Sequence, residues 1–90
     1  MHISIEWDAA KAAANRRKHG VRFDEAVTAL LDPQALARED GLAEGEARWV
    51  LLGMSARPRL LTVVYTLRGD ERIRLISARK ATRKESTFYA

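Results

Sequence analysis

Leu60-Leu61-Thr62-Val63-Val64-Tyr65-Thr66-Leu67-Arg68-Gly69-Asp70-Glu71-Arg72-Ile73-Arg74-Leu75-Ile76-Ser77-Ala78 is a pair of β-rich runs, Leu60 to Leu67 and Arg72 to Ala78, around a polar turn, and the pairing of the two runs decides the fold. A two-residue loop, Gly69-Asp70, sets Arg68 opposite Glu71. It also puts Leu61, Val63, Tyr65 and Leu67 on the same face as Arg72 and Arg74. A three-residue loop, Gly69 to Glu71, pairs Leu67 with Ile73, Tyr65 with Leu75 and Val63 with Ser77. Side chains alternate across a strand with period two, so only the second register assembles one apolar face. The opposite face then carries Thr62, Val64, Thr66 and Arg68 beside Arg72, Arg74, Ile76 and Ala78. Arg68 facing Arg72 is mildly unfavourable by itself. The bulged register therefore predicts an arginine-bearing sheet face turned away from the core.

Upstream, Ile3 to Trp7 alternates apolar and polar residues as a half-buried strand does. Asp8 is a good N-cap for an alanine-rich helix from Ala9 to His19, with Gly20 where a left-handed residue is wanted. Phe23, Ala26, Val27, Leu30 and Leu31 follow the spacing of a second amphipathic helix, stopped by Asp32-Pro33. Ala35 to Glu39 reads as a short strand, the remaining acidic stretch to Ala47 as a loop, and Trp49 to Ser55 as a buried strand. Ala81 to Tyr89 reads as a short terminal helix. The order is β-α-α-β-β-β-β-α. Short connections between the later strands favour an α+β fold, an antiparallel sheet with the two N-terminal helices on one face.

The chain has 90 residues, 47% hydrophobic and 31% charged, which is the composition of one globular domain spanning residues 1–90. A chain of this size buries only about 60–65% of the surface its unfolded form exposes. With no cysteine and two histidines, disulfides and thiolate metal sites are excluded, and neither a metal nor a cofactor is expected. No apolar run reaches the ~20 residues of a membrane span, and the start lacks the pattern of a signal peptide, so a cytoplasmic location is expected. The net charge is +4, and residues 51–90 hold nine cations against three anions. A cluster of that kind points to a polyanionic partner. Arginine outnumbers lysine in it, and the planar guanidinium fork suits bidentate phosphate recognition.

Two long motifs carry a family resemblance. Glu6-Trp7-Asp8 with Lys11, then Asn15-Arg16-Arg17-Lys18-His19-Gly20-Val21 and Phe23-Asp24-Glu25-Ala26, open the chain; Val63-Val64-Tyr65-Thr66 and Ile73-Arg74-Leu75-Ile76-Ser77-Ala78-Arg79-Lys80-Ala81-Thr82 lie near its end. In this order they resemble the BrnT family of bacterial toxins. The resemblance implies a RelE-like fold and a metal-independent ribonuclease that arrests growth. It also implies a type II toxin–antitoxin system in which a BrnA-like antitoxin with a ribbon-helix-helix domain neutralises the toxin, operator DNA being reached only through the antitoxin.

Metal-free RNA cleavage by the 2′-OH requires a base, an acid and cations at the phosphoryl oxygens. Arg74 and Arg79, within the matching motif, are the first candidates for transition-state stabilisation, and Arg68, on the same face in the bulged register, is the third. His19 is the candidate acid or base, because histidine alone titrates near neutrality unperturbed; a histidine just before Gly20 is more simply read as bonding carbonyls at the helix end. Glu46 and Tyr65 are the reserve candidates, the first more simply read as loop charge and the second as core. Lys18, Arg72, Lys80 and Arg83 are the candidate RNA-binding cations. Trp7 and Trp49 read as core. The same arginine face would also serve a nucleic-acid-binding module without catalysis, or a protein that only holds an acidic partner.

Overall fold

The computed structural model describes residues 3–43, 45–69 and 71–89; Glu44 of the expected acidic loop and Asp70 of the expected turn lie outside them. The elements run β1 (Ser4–Glu6), α1 (Ala9–His19), α2 (Phe23–Leu30), β2 (Leu36–Ala43), β3 (Glu46–Met54), β4 (Leu60–Arg68), β5 (Arg72–Lys80) and α3 (Arg83–Ser86). This is the expected order. The sheet order is β1-β5-β4-β3-β2. From β2 to β5 it is antiparallel, and β1 joins the outer edge of β5 in parallel, so the sheet is mixed. No described helix is long and apolar enough to cross a membrane.

Local chemistry explains the helix limits. The Asp8 carboxylate accepts the Ala10 N–H at 2.8 Å, and Gly20 ends α1 at φ 71° while donating its N–H to the Arg16 carbonyl. α2 starts at Phe23 with Asp24 and Glu25 in its first turn. Beyond its end, the Asp32 carboxylate accepts the N–H groups of Gln34 and Met54 and the Tyr89 hydroxyl, tying α2, β3 and the last residues together.

Both long helices pack on the face formed by Leu61, Val63 and Tyr65 of β4 and Leu75 of β5, and the core closes around Phe23, Val21, Ala26, Ala29, Leu51 and Ala78. Trp7 meets Phe23 edge-on, with ring centroids 5.8 Å apart. α2 lies so close to β3 that a Cβ added at Gly53 would stand 2.5 Å from the Ala29 carbonyl oxygen. Gly53→Ala is expected to lower stability by about 1–3 kcal/mol through overpacking, seen as a lower urea midpoint. An unchanged midpoint would mean that α2 moves away from the strand at little cost.

Across this core Glu25 accepts from Ser55 Oγ (2.7 Å) and from Arg59 Nε and Nη2 (2.7 and 2.6 Å). The Arg59 guanidinium holds the Glu25 carboxyl below the usual carboxylate range, against the opposing effect of burial.

β2 is longer than expected and replaces most of the acidic loop. Its register shifts between Glu39 and Leu42, with Gly41 at φ 78°. A charged, bulged outer strand is a common way to keep a sheet edge from pairing with another chain.

Candidate functional site

In the β4–β5 hairpin Arg68 pairs with Arg72, Leu67 with Ile73 and Tyr65 with Leu75, as the three-residue turn requires. The register then shifts: Val64 pairs with Ser77, Val63 with Ala78 and Thr62 with Arg79. Ile76 is the extra residue, and the expected pairing of Val63 with Ser77 is corrected by one position. A bulge reverses the alternation beyond it. Ala78, expected on the open face, turns into the core and is fully buried. Arg79 turns outward to share a face with Arg72 and Arg74; without the bulge it would point at the helices.

Asn15 pins this arrangement. Its Oδ1 accepts the Ala78 N–H at 3.0 Å, and its Nδ2 donates to the Ala78 carbonyl at 2.8 Å and to the Val21 carbonyl at 3.0 Å. β1 pairs with β5 only from Arg72 to Arg74, so the Asn15 amide takes the place of a neighbouring strand at Ala78.

The face opposite the core carries, by register, Arg48, Val50 and Leu52 of β3, Thr62, Val64, Thr66 and Arg68 of β4, and Arg72, Arg74, Ser77 and Arg79 of β5. Three of its arginines meet carboxylates. Arg68 Nε lies 3.0 Å from Glu46, Arg72 Nε lies 3.5 Å from Glu6, and Arg79 is held at 2.8 and 2.9 Å by both oxygens of Glu85. Glu85 also accepts from Thr62 Oγ1 and the Thr82 N–H, in a capping box that starts α3. With Arg79 as the largest influence, these donors bring its carboxyl down to about 2. α3 therefore sits on the arginine side of the sheet. Beside it, a groove of about 420 Å³ is lined by Leu36, Val50, Leu52, Thr62, Glu85 and the exposed Phe88.

Arg48, Thr66 and Arg74 form one row across β3, β4 and β5. Neither Arg48 nor Arg74 has a carboxylate partner among the described residues. Arg48 Nε and Thr66 Oγ1 are buried without a hydrogen-bond partner among them.

The sequence-nominated residues divide between the two layers. Arg68, Arg72, Arg74 and Arg79 share the open face, with Glu46 ion-paired to Arg68. His19 and Lys18 end α1, in the helical layer on the other side of the sheet. Lys80 has the helix-side parity of its partner Leu61, and Arg83 opens α3. Tyr65 is core, and burial pushes its hydroxyl pKa up. Arg48, Thr66 and Glu85 were not nominated. A lone arginine ahead of the apolar Trp49–Ser55 run carries little signal by itself, whereas the Thr82-x-x-Glu85 spacing is a legible capping box. No group of three His, Asp or Glu side chains able to hold a metal gathers among the described residues.

Residues 7–85 match the family model for the BrnT ribonuclease toxin of type II toxin–antitoxin systems. The chain belongs to the BrnT family. The crystal structure of the Brucella abortus ribonuclease toxin BrnT superposes with a TM-score of 0.70 at 25% sequence identity, covering 90% of this chain and 99% of that one. Comparison with curated proteins gives no match. As a BrnT-family ribonuclease toxin of a type II system, the chain has RNA as its substrate and an antitoxin as its partner. Arg48, Arg68, Arg72, Arg74 and Arg79 all lie within the matched residues.

Proposed function

We propose that residues 1–90 act as one unit that cleaves RNA without a metal ion, on the face bearing Arg68, Arg72, Arg74 and Arg79. The observation that carries this reading is the bulge at Ile76, which adds Arg79 to the arginines already presented by the hairpin. In the reaction the 2′-oxygen attacks the adjacent phosphorus and the P–O5′ bond breaks, leaving a 2′,3′-cyclic phosphate and a 5′-hydroxyl. Guanidinium groups fixed beforehand stabilise the charge gathering on the nonbridging oxygens. The ion pair with Arg68 brings Glu46 to the same face and favours it over His19 as acceptor of the 2′-OH proton; a water molecule supplies the proton taken by O5′.

Arg79 holds a phosphate after exchanging the Glu85 carboxylate for it, the two anions presenting the same bidentate edge. Arg83, at the start of α3, tracks the flanking RNA on the arginine side of the sheet, and Lys18 and Lys80, toward the helical layer, meet only RNA that passes around the sheet.

The toxin acts in the cytoplasm, and its partner is a BrnA-like antitoxin with a ribbon-helix-helix domain, through which alone the complex meets operator DNA. Expression of the chain alone in a bacterium is expected to arrest growth, and the purified protein to cleave RNA in excess EDTA. Cleavage that stops in EDTA and returns with a divalent ion would overturn metal independence. Binding without any cleaved product would reduce the site to a nucleic-acid-binding surface.

A further inference from the structure

The charge on the arginine face is unevenly compensated. Its outer arginines, Arg68, Arg72 and Arg79, are ion-paired to Glu46, Glu6 and Glu85, whereas Arg48 and Arg74, on either side of Thr66 in the next row, make no ion pair among the described residues, although Glu6 stands beside Arg74 in register. Neighbouring strands lie about 4.8 Å apart, so the Arg48 and Arg74 side chains leave the sheet one strand spacing to either side of Thr66. Thr66 is only 2% exposed, and its Oγ1 has no partner among the described residues. Half-buried Arg48 has its Nε in the same condition. Folded proteins rarely leave buried polar atoms unpaired, and two of the three such atoms, Arg48 Nε and Thr66 Oγ1, belong to neighbouring residues of one row on the arginine face, while Trp49 Nε1 has the parity of the helix side. An Nε–H only donates and a hydroxyl donates readily, so between two unmatched guanidinium groups the fitting ligand is an anion.

We infer that Arg48 and Thr66 form a phosphate-binding subsite, in which the Arg48 Nε–H and the Thr66 hydroxyl donate to a nonbridging oxygen of the RNA phosphate next to the one engaged by Arg74. The inference rests on the proposal that this face holds RNA. It makes Arg48 and Thr66 positioning residues, because seating a neighbouring phosphate fixes the strand direction and places the scissile phosphate at Arg74. The Thr66 hydroxyl has no partner among the described residues and gains one when the ligand is bound. The perimeter carboxylates shield the outer arginines, so the first strong pull on an approaching phosphate comes from the middle of the face.

The test pairs RNA with inorganic phosphate. Phosphate titrated into the wild-type protein should shift the Thr66 amide and Arg48 Nε–H NMR resonances saturably. Thr66→Val, nearly the same shape without the hydroxyl, should leave the urea midpoint in place or raise it. It should weaken binding of a 2′-deoxy, non-cleavable RNA analogue by about tenfold, the usual loss for a hydrogen bond to a charged group. Thr66→Ser should restore the affinity, and Arg48→Gln should weaken it by at least as much as Thr66→Val. Wild-type phosphate response and RNA affinity in Thr66→Val and Arg48→Gln would overturn the subsite, as would equal losses in Thr66→Val and Thr66→Ser. Intact phosphate and RNA affinity together with weakened antitoxin binding would assign the row to an antitoxin carboxylate and overturn it too. A wild-type protein that responds to phosphate but neither binds nor cleaves RNA would retain the anion site and reject the RNA reading of the face. A wild type that gives no saturable phosphate shift, whatever its RNA binding, would overturn the subsite alone.

Discussion

Replacing Asn15 by alanine should cost roughly 3 kcal/mol or more of stability and mis-aim Arg79. Asn15 is 6% exposed and makes three hydrogen bonds, all to backbone groups of Val21 and Ala78, two residues that are fully buried. Alanine removes the partner of each and offers nothing in return. A buried backbone group left unpaired costs about 1–3 kcal/mol, so three of them consume a large share of the 5–15 kcal/mol that holds an ordinary domain together. Water entering the vacated space softens the loss but leaves a looser strand. Urea unfolding measures the first effect. The second is read under conditions where the variant is fully folded: with Ala78 unpinned, the bulge at Ile76 loses its anchor and cleavage falls further than the fraction of folded protein explains. An unchanged midpoint would show that the β4–β5 ladder alone holds the register. Asn15→Asp is a useful second variant: it keeps the acceptor for the Ala78 N–H but sets a buried carboxylate oxygen against the Val21 and Ala78 carbonyls, so it should cost at least as much as alanine.

Arg74→Ala is expected to lower the cleavage rate constant by about 10²–10³-fold, the usual consequence of removing one preorganised donor from a developing oxyanion. Arg74 is half-buried on the open face and carries no ion pair among the described residues, so the substitution breaks no described ionic contact. Its effect on stability should stay within about 0.5 kcal/mol. That separation makes Arg74 a cleaner probe than Arg79, whose removal also strands Glu85 and loosens α3. A fall in kcat with little change in KM would place the Arg74 contact in the transition state, and a rise in KM alone would make it a binding residue. Cleavage retained by a folded Arg74→Ala would move the reacting centre away from this row.

Much of this architecture is legible in the amino-acid sequence. The limits of α1 follow from Asp8 and Gly20, and the turn at Gly69 to Glu71 follows from the need to keep Leu67, Tyr65, Ile73 and Leu75 together. What escaped depended on partners far apart in the chain. β1 was legible as a strand, but its parallel seat beside β5 was not, because three residues carry no record of their neighbour. β2 was hidden by its composition: Arg38, Glu39, Asp40 and Gly41 look like a loop, although an outer strand needs charge and irregularity. The bulge was invisible since Ile76 suits either face of a sheet, and the residue that fixes it, Asn15, lies 63 positions from Ala78. At the site, the clustering of Arg68, Arg72 and Arg74 followed from the turn. The inward turn of Ala78 and the outward turn of Arg79 did not. His19 was nominated for its titration range, which says nothing about where a helix end will lie.

The pairing of the first strand with the last sets when a newly made chain can become harmful. Synthesis delivers β1, α1 and α2 first, and their apolar sides close on β3, β4 and β5, which are made after them. The same late residues, from Arg68 to Arg79, carry the cations. Completion of the core and assembly of the arginine face thus fall within one short interval, so a chain cut off before β5 has neither a stable fold nor its main positive surface.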